Sequence, residues 1–172
     1  MIELLRKRRS IRKYTRSPVE PEKVKILTEA LLRAPSSRNI NPWEFIVVDD
    51  QSVLQQLATA KQHGSDFLKG APLGIVICAD STKSDVWVED CSIAAILAQL
   101  TAQSLGLGSC WIQIRNRSRK GGEASEAYIQ QLLGIPEHIK VECMIAIGYP
   151  AETRQGLQAS QLHQAKIKSN GY

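Results

Sequence analysis

A continuously apolar run at residues 73–79, with the sequence LGIVICA, limits the possible folds more than any other feature of this chain. A short run rich in β-branched side chains predicts a strand, and the absence of alternation indicates that both of its faces are covered. A sheet that is covered on both faces needs a layer of helices on each side. We therefore expect a layered domain with this strand inside it.

Other segments supply the remaining elements. Apolar runs predict three more strands, over residues 43–48, 109–114 and 141–147. Patterns of helical period predict five helices, over residues 2–8, 22–34, 52–60, 90–105 and 124–133. We expect Ser52 to cap the third of these helices and Gly134 to end the last. Residues 61–70 are loosely patterned and suit one further short helix.

Helices alternate with four strands, so the sequence predicts a single α/β or α+β domain whose sheet is sandwiched by helices. Residues 90–105 are apolar almost all round, which places that helix in the core or along a subunit contact. The last twenty residues lack periodicity and are expected to form a tail. No run has the ~20 apolar residues of a membrane span, and residues 1–9 are too polar for a signal peptide. We therefore expect a cytoplasmic protein without membrane contact.

The positive charge of the chain is concentrated at its start. Residues 1–25 carry nine lysines and arginines against three glutamates, whereas the rest of the chain is close to neutral. Arg8, Arg9 and Arg12 can form forked hydrogen bonds to an anion, Ser10 adds a hydroxyl, and helical spacing puts Arg8 and Arg12 on one face. Nucleic acid, a membrane surface and a phosphate-bearing cofactor are all possible partners, and a solvated basic turn is the simpler alternative.

A polar loop follows the second helix. Two prolines bracket it, and its residues offer both donors and acceptors: Pro35, Ser36, Ser37, Asn39 and Asn41. Such groups suit a ring system that carries carbonyls and ring nitrogens. The alternative is a turn whose side chains satisfy their own backbone.

A strand start at residues 108–113 is the third candidate, because Trp111, Ile112 and Gln113 follow a glycine stop and can present backbone N–H groups at a cleft edge. The alternative is that Trp111 belongs to the core. No motif of a serine, cysteine or metal-dependent enzyme is present, the three histidines suit the surface, and the four scattered cysteines suit buried reduced thiols. A chain so poor in catalytic groups suggests that a cofactor carries the chemistry.

Taken in order, these segments resemble the nitroreductase superfamily of FMN enzymes, in its short form. The resemblance covers residues 1–152 and rests on an ordered series of segments: RRSIRKY at 8–14, APSSRNINPW at 34–43, GAP at 70–72, GLGSCWI at 106–112, LGIPE at 133–137 and IGYPAE at 147–152. It implies an α+β fold with a mostly antiparallel sheet and an intertwined homodimer, in which residues 1–152 bind FMN and the tail at 153–172 wraps the partner.

The resemblance also implies roles for the three candidate segments. Arg8, Arg9, Ser10 and Arg12 match the positions that hold the phosphate, the ribityl chain and the pyrimidine edge. The loop residues match a segment that reaches the flavin from the partner chain, and they are Pro35, Ser36, Ser37, Asn39 and Asn41. Trp111, Ile112 and Gln113 match the segment beside the ring, where a backbone N–H approaches N5.

The implied activity is electron transfer from NADH or NADPH to an organic acceptor such as a nitroaromatic or a quinone, by a ping-pong mechanism and without a metal. Reductive dehalogenation and enone reduction are alternatives on the same fold, and they would depend on the pocket stretches 61–70 and 115–122. A nucleic-acid-binding module that uses the basic start is a more distant alternative. Relatives add a tail cation to the phosphate, for which Arg154, Lys166 and Lys168 are candidates.

Overall fold

The computed structural model describes residues 1–172 and contains every helix and strand that the sequence predicts, with ends that differ by a few residues. The helices are α1 (Ile2–Lys7), α2 (Pro21–Leu32), α3 (Gln51–Leu57), α4 (Trp87–Ser104) and α5 (Ser125–Leu133). The strands are β1 (Trp43–Val48), β2 (Leu73–Asp80), β3 (Gly108–Gln113) and β4 (Ile139–Gly148). Single 3₁₀ turns occupy Ser37–Asn39, Asp66–Gly70, Ala159–Gln161 and Gln164–Lys166.

The four strands form one sheet in the order β1-β2-β4-β3, and every neighbouring pair is antiparallel. This confirms the α+β class with a central antiparallel sheet. All eight residues of β2 are buried, as the unbroken apolar run predicts for an inner strand. A β-bulge interrupts the pairing of β2 with β4 between Ile77 and Cys78.

The sheet separates two hydrophobic layers. On one face, Leu27 and Leu31 of α2 pack with the alanines of α4 against Ile75 and Ile77 of β2. The other face is covered by α3 and α5, and its buried residues include Leu54, Leu57, Val76, Ile129 and Met144. The domain is therefore a three-layer sandwich, and the edges of its sheet are the places where loops collect.

Helix α4 approaches the sheet through small residues. Ala94, Ala95 and Ala98 are fully buried, whereas Ile93 and Ile96 on the opposite side are 39% and 38% exposed. Alanine brings the helix axis close to the strands and leaves the larger side chains pointing outwards. The prediction that this helix runs through the core is thus confirmed, and its outer apolar face has no partner within the single chain. No helix has the combination of length and apolar character needed to cross a membrane.

The structure corrects three local predictions. Asp50, rather than Ser52, caps α3, because its carboxylate accepts hydrogen bonds from the backbone N–H groups of Ser52 and Val53. Helix α2 ends at Leu32, two residues before the end predicted at residue 34. Helix α1 ends at Lys7, and Arg8 has an extended backbone, so the helical spacing expected between Arg8 and Arg12 does not exist. The four cysteines are buried and free, as predicted.

Candidate cofactor site

The chain after α1 runs as an extra edge along β3. Ser10 pairs with Ser109 in a parallel bridge, and the Ile11 N–H donates to the Ser109 carbonyl at 3.0 Å. Ile11 is 8% exposed and packs on Gly108, where an added Cβ would lie 2.8 Å from the Ile11 Cβ. Glycine at this position lets residues 8–12, which we call the arginine segment, approach the strand.

Alternation in this extended segment puts Arg8, Ser10 and Arg12 on the side opposite to buried Ile11. Burial raises the pKa of Cys110, while Arg12, a hydrogen bond with Ser10, and Arg8 act in the opposite direction. Two arginines and a serine therefore share one side of a segment bonded to the edge of β3, with a spacing of two residues and not the four of a helix.

Residues that the sequence interpretation left without a role hold the arginine segment in place. The Glu152 carboxylate accepts hydrogen bonds from the backbone N–H groups of Arg12 at 2.6 Å and Lys13 at 3.2 Å. It also pairs with Arg154 at 3.0 Å, so Arg154 is the tail cation connected to this segment. The Tyr14 hydroxyl donates to the carbonyl of Ile11, and burial raises the pKa of Tyr14.

The donors of the arginine segment are available to a ligand. Arg8, Arg9 and Arg12 form no ion pair with a carboxylate, whereas five other arginines of the chain do. Arg12 stacks over the Phe67 ring with its Cζ at 5.7 Å from the ring centroid. Uncompensated guanidinium groups with a hydroxyl between them match the charge and the acceptor geometry of a phosphate dianion. The donor set therefore fits the phosphate of FMN.

The polar loop is tightly wound. Arg38, Asn39 and Asn41 all have positive φ, between 52° and 55°, a region that few residues other than glycine adopt without strain. Ser36 and Asn41 hydrogen-bond to each other, with the Asn41 N–H donating to the Ser36 Oγ at 2.8 Å. The Ser37 N–H donates to Asp90, a buried residue in the first turn of α4, at 2.9 Å. Part of the loop thus satisfies itself, as the simpler alternative predicted, in a strained backbone of the kind often found at functional sites.

The end of β3 carries a chain of hydrogen bonds. The Trp111 Nε1–H donates to Gln113 at 3.0 Å, and the Gln113 amide donates to the Glu142 carboxylate at 3.1 Å. Glu142 is 3% exposed, and its second oxygen, Oε2, has no hydrogen-bond partner. Burial raises the pKa of Glu142. Ile112 is 1% exposed and packs in the core, so only its backbone can face a ligand.

The structure brings the arginine segment and residues 111–113 together along β3, but it does not bring the polar loop to them. The loop precedes β1, and β1 and β3 are opposite edges of the sheet. Three strand spacings, or ~14 Å, separate these edges. A cavity of about 560 Å³, lined by residues of the stretches 14–16, 51–55 and 69–72, contains none of the predicted site residues. Within one chain, the polar loop and the arginine segment therefore lie at different edges of the sheet.

The fold and the site define a class of protein, a three-layer α+β domain that carries a basic arginine segment on one edge of its sheet. Within that class, the chain belongs to the nitroreductase family, whose sequence profile matches residues 5–63 and 53–149. An FMN-dependent nitroreductase from Clostridium difficile R20291 is 48% identical, with a TM-score of 0.98 over 100% of both chains.

Two further relatives support the assignment. An Archaeoglobus fulgidus protein, provisionally named NADH dehydrogenase/NAD(P)H nitroreductase, is 36% identical over 162 residues, which are 92% of this chain and 90% of that one. The structure of the NADPH:FMN oxidoreductase from Vibrio harveyi, complexed with NAD⁺, is 25% identical, with a TM-score of 0.81. The match covers 99% of this chain and 77% of the Vibrio harveyi protein.

Proposed function

We propose that this nitroreductase family member is an FMN-dependent oxidoreductase, which passes electrons from NAD(P)H to an organic acceptor such as a nitroaromatic or a quinone. The observation that carries the proposal is that Arg8 and Arg12, both without an ion pair, share one side with Ser10 in an extended segment bonded to the edge of β3. The 48% identical relative is named as FMN-dependent, which supports the same cofactor here. The donor and the acceptor would use one face in turn, which is a ping-pong cycle.

Each candidate segment has a separate task in this proposal. Arg8, Ser10 and Arg12 bind the phosphate, and Arg9 adds positive potential near the ring. Trp111 and Gln113 flank the ring, and their hydrogen bonds to each other and to Glu142 keep the end of β3 in one orientation. When bound, FMN supplies reversible acceptance of a hydride, and the protein supplies position and charge.

The functional unit in this proposal is a homodimer. The polar loop, with Pro35, Ser36, Ser37, Asn39 and Asn41, completes the site of the partner chain, because it lies on the sheet edge opposite to β3. The exposed apolar face of α4, with Ile93 and Ile96, supplies part of the contact, and residues 153–172 wrap the partner. Four free cysteines suit the reducing cytoplasm.

Replacing Arg12 tests the phosphate assignment. The purified protein is expected to show the absorption bands of a bound flavin, and Arg12→Gln is expected to weaken FMN binding about 10- to 100-fold, because a charge-assisted hydrogen bond contributes ~1.5–3 kcal/mol. Fluorescence titration of the FMN-free protein measures the affinity. Arg33→Gln is the matched control, because Arg33 is exposed and pairs only with Glu29.

The two variants separate a specific role from a general loss of charge. An unchanged FMN affinity in Arg12→Gln, or an equal loss in Arg33→Gln, would contradict the phosphate assignment. A colourless wild-type protein that does not bind FMN in the titration would contradict the proposed function as a whole.

A further inference from the structure

A basic cleft lies beside the candidate cofactor site, where residues 61–66 meet residues 116–120. The Gln62 N–H donates to the Ser118 carbonyl at 3.0 Å and joins the two stretches. Two adjoining cavities of about 280 and 380 Å³ open there, and both are lined by Lys61, Gln62 and His63. We define the basic cleft by its cationic residues, which are Lys61, Arg117 and Lys120. Each cavity is near the lower end of the size range of small-molecule sites, ~300–1,000 Å³.

The positive charge of the basic cleft is not neutralised by the protein. Lys61, Arg117 and Lys120 form no ion pair, while the one acidic residue in the lining, Asp66, pairs with Lys69 at 2.8 Å. Arg119 is different, because it is bound to Glu123 at 2.6 Å and stacks on Tyr128. The pKa of Lys61 is lowered, first by burial and then by Arg117, so these two cations repel each other. An anion between them would relieve this repulsion.

The position of the basic cleft connects it to the candidate cofactor site. Arg12 of the arginine segment lies over the Phe67 ring, with its Cζ 5.7 Å from the centroid, and Phe67 directly follows Asp66 of the cleft lining. Arg117 follows Gln113, the end of β3, by only four residues. The cleft therefore borders the place where the ring and its electron donor would meet.

We propose that the basic cleft binds the 2′-phosphate of NADPH and makes this enzyme prefer NADPH to NADH. The inference rests on the proposed function and goes beyond it by naming the donor. NADPH differs from NADH only by that phosphate, a dianion that lysine and arginine recognise by charge-assisted hydrogen bonds. The arginine segment already provides the cations for the FMN phosphate, so the unpaired cations of the cleft are left for a second anion.

Arg117→Gln and Lys120→Gln test this inference, because both residues lie outside the arginine segment. In each variant, kcat/KM for NADPH is expected to fall about tenfold, which is ~1.4 kcal/mol, while kcat/KM for NADH stays the same. Lys25→Gln is the matched control, since Lys25 is an exposed lysine of α2 without an ion pair. In the wild type, adenosine 2′,5′-bisphosphate is expected to inhibit competitively with NADPH, and adenosine 5′-monophosphate is expected to inhibit much less.

The outcomes separate this inference from the proposed function. A flavin-containing enzyme that keeps its NADPH-to-NADH ratio in both variants would overturn the cleft assignment alone. The cleft assignment would also be overturned if kcat/KM fell equally for NADPH and NADH, or if the two adenosine phosphates inhibited equally. A protein that binds no FMN would overturn the proposed function instead.

Discussion

At the scale of single residues, side-chain chemistry alone pointed to the arginine segment. Arginines around a serine indicate an anion site whatever the backbone does, and the structure leaves Arg8 and Arg12 unpaired. Side-chain chemistry within a local segment could not predict the roles of Glu152, Lys61 and Glu142. Glu152 contacts Arg12 across 140 positions, and no local pattern marks such a contact. Their roles depend on which segments the fold brings together.

Glu142 is a residue whose environment sets its protonation. Because burial raises its pKa above the ordinary value of 4.5, the folded chain holds the proton to a higher pH than the unfolded chain does. Its contribution to stability is therefore most favourable below pH 4.5 and declines as the pH rises through the raised pKa.

Glu142→Gln should remove this decline. We expect the variant to be more stable than the wild type by roughly 1 kcal/mol at pH 8, because it buries no charge, with a smaller difference at pH 4.5. Urea unfolding at pH 4.5 and pH 8 measures the difference in the free energy of unfolding between the variant and the wild type. Glu137→Gln, at an exposed position, should show no such pH dependence, and a Glu142→Gln effect that does not vary with pH would refute the explanation.

At the scale of helices and strands, hydrophobic periodicity predicted which elements form, because each buries one apolar surface. It did not predict their ends. Helix α1 stops at Lys7 because the following residues bond to β3, about a hundred positions away, and α3 begins after Asp50 because that carboxylate binds two backbone N–H groups. The sequence also did not predict which face of α4 packs on the sheet, because the small alanines of that face are flanked by larger apolar residues.

The packing of Ile11 on Gly108 is an element contact with a functional effect. Gly108→Ala would place a methyl group 2.8–2.9 Å from three atoms of Ile11, so the arginine segment has to shift away from β3. We expect a loss of stability of about 1–3 kcal/mol and weaker FMN binding, although no binding group is changed. Thermal unfolding and FMN titration measure the two effects.

Gly70→Ala is the control for this substitution, because an added Cβ there has no atom within 4 Å. Combining Gly108→Ala with Ile11→Gly should restore part of the FMN affinity, because glycine removes all three Ile11 atoms that the methyl group meets. If Gly108→Ala binds FMN as tightly as the wild type, the position of the arginine segment does not depend on this contact.

At the scale of the whole molecule, the proposed homodimer gives a use to two features of the single chain, which are the separation of β1 from β3 and the exposed apolar face of α4. The fold class was predictable from the sequence, because alternating apolar runs permit few layered arrangements. The sharing of a site between chains came from the family resemblance, and the geometry gives it a physical reason in the separation of β1 from β3. Family membership also favours flavin chemistry over nucleic-acid binding as the use of the basic start.

Ile96→Asp tests the role of the exposed face of α4. A carboxylate at this position would be desolvated in an apolar contact, so we expect the variant to be monomeric and to lose most of its bound FMN. Light scattering after size-exclusion chromatography gives the mass, and the flavin absorbance gives the occupancy. Ile96→Leu should behave as the wild type, and a dimeric Ile96→Asp protein would show that the contact lies elsewhere.

The placement of the polar loop and the arginine segment on opposite sheet edges has a genetic consequence. In the proposed homodimer, a chain with a defective polar loop can pair with a chain that has a defective arginine segment. Such a heterodimer has one intact pocket and one pocket in which both segments are defective. At an FMN concentration too low to saturate either variant alone, heterodimers of Arg12→Gln and Ser37→Trp would regain up to half of the normal specific activity. In the proposed homodimer, each chain therefore contributes a segment to the pocket of the other.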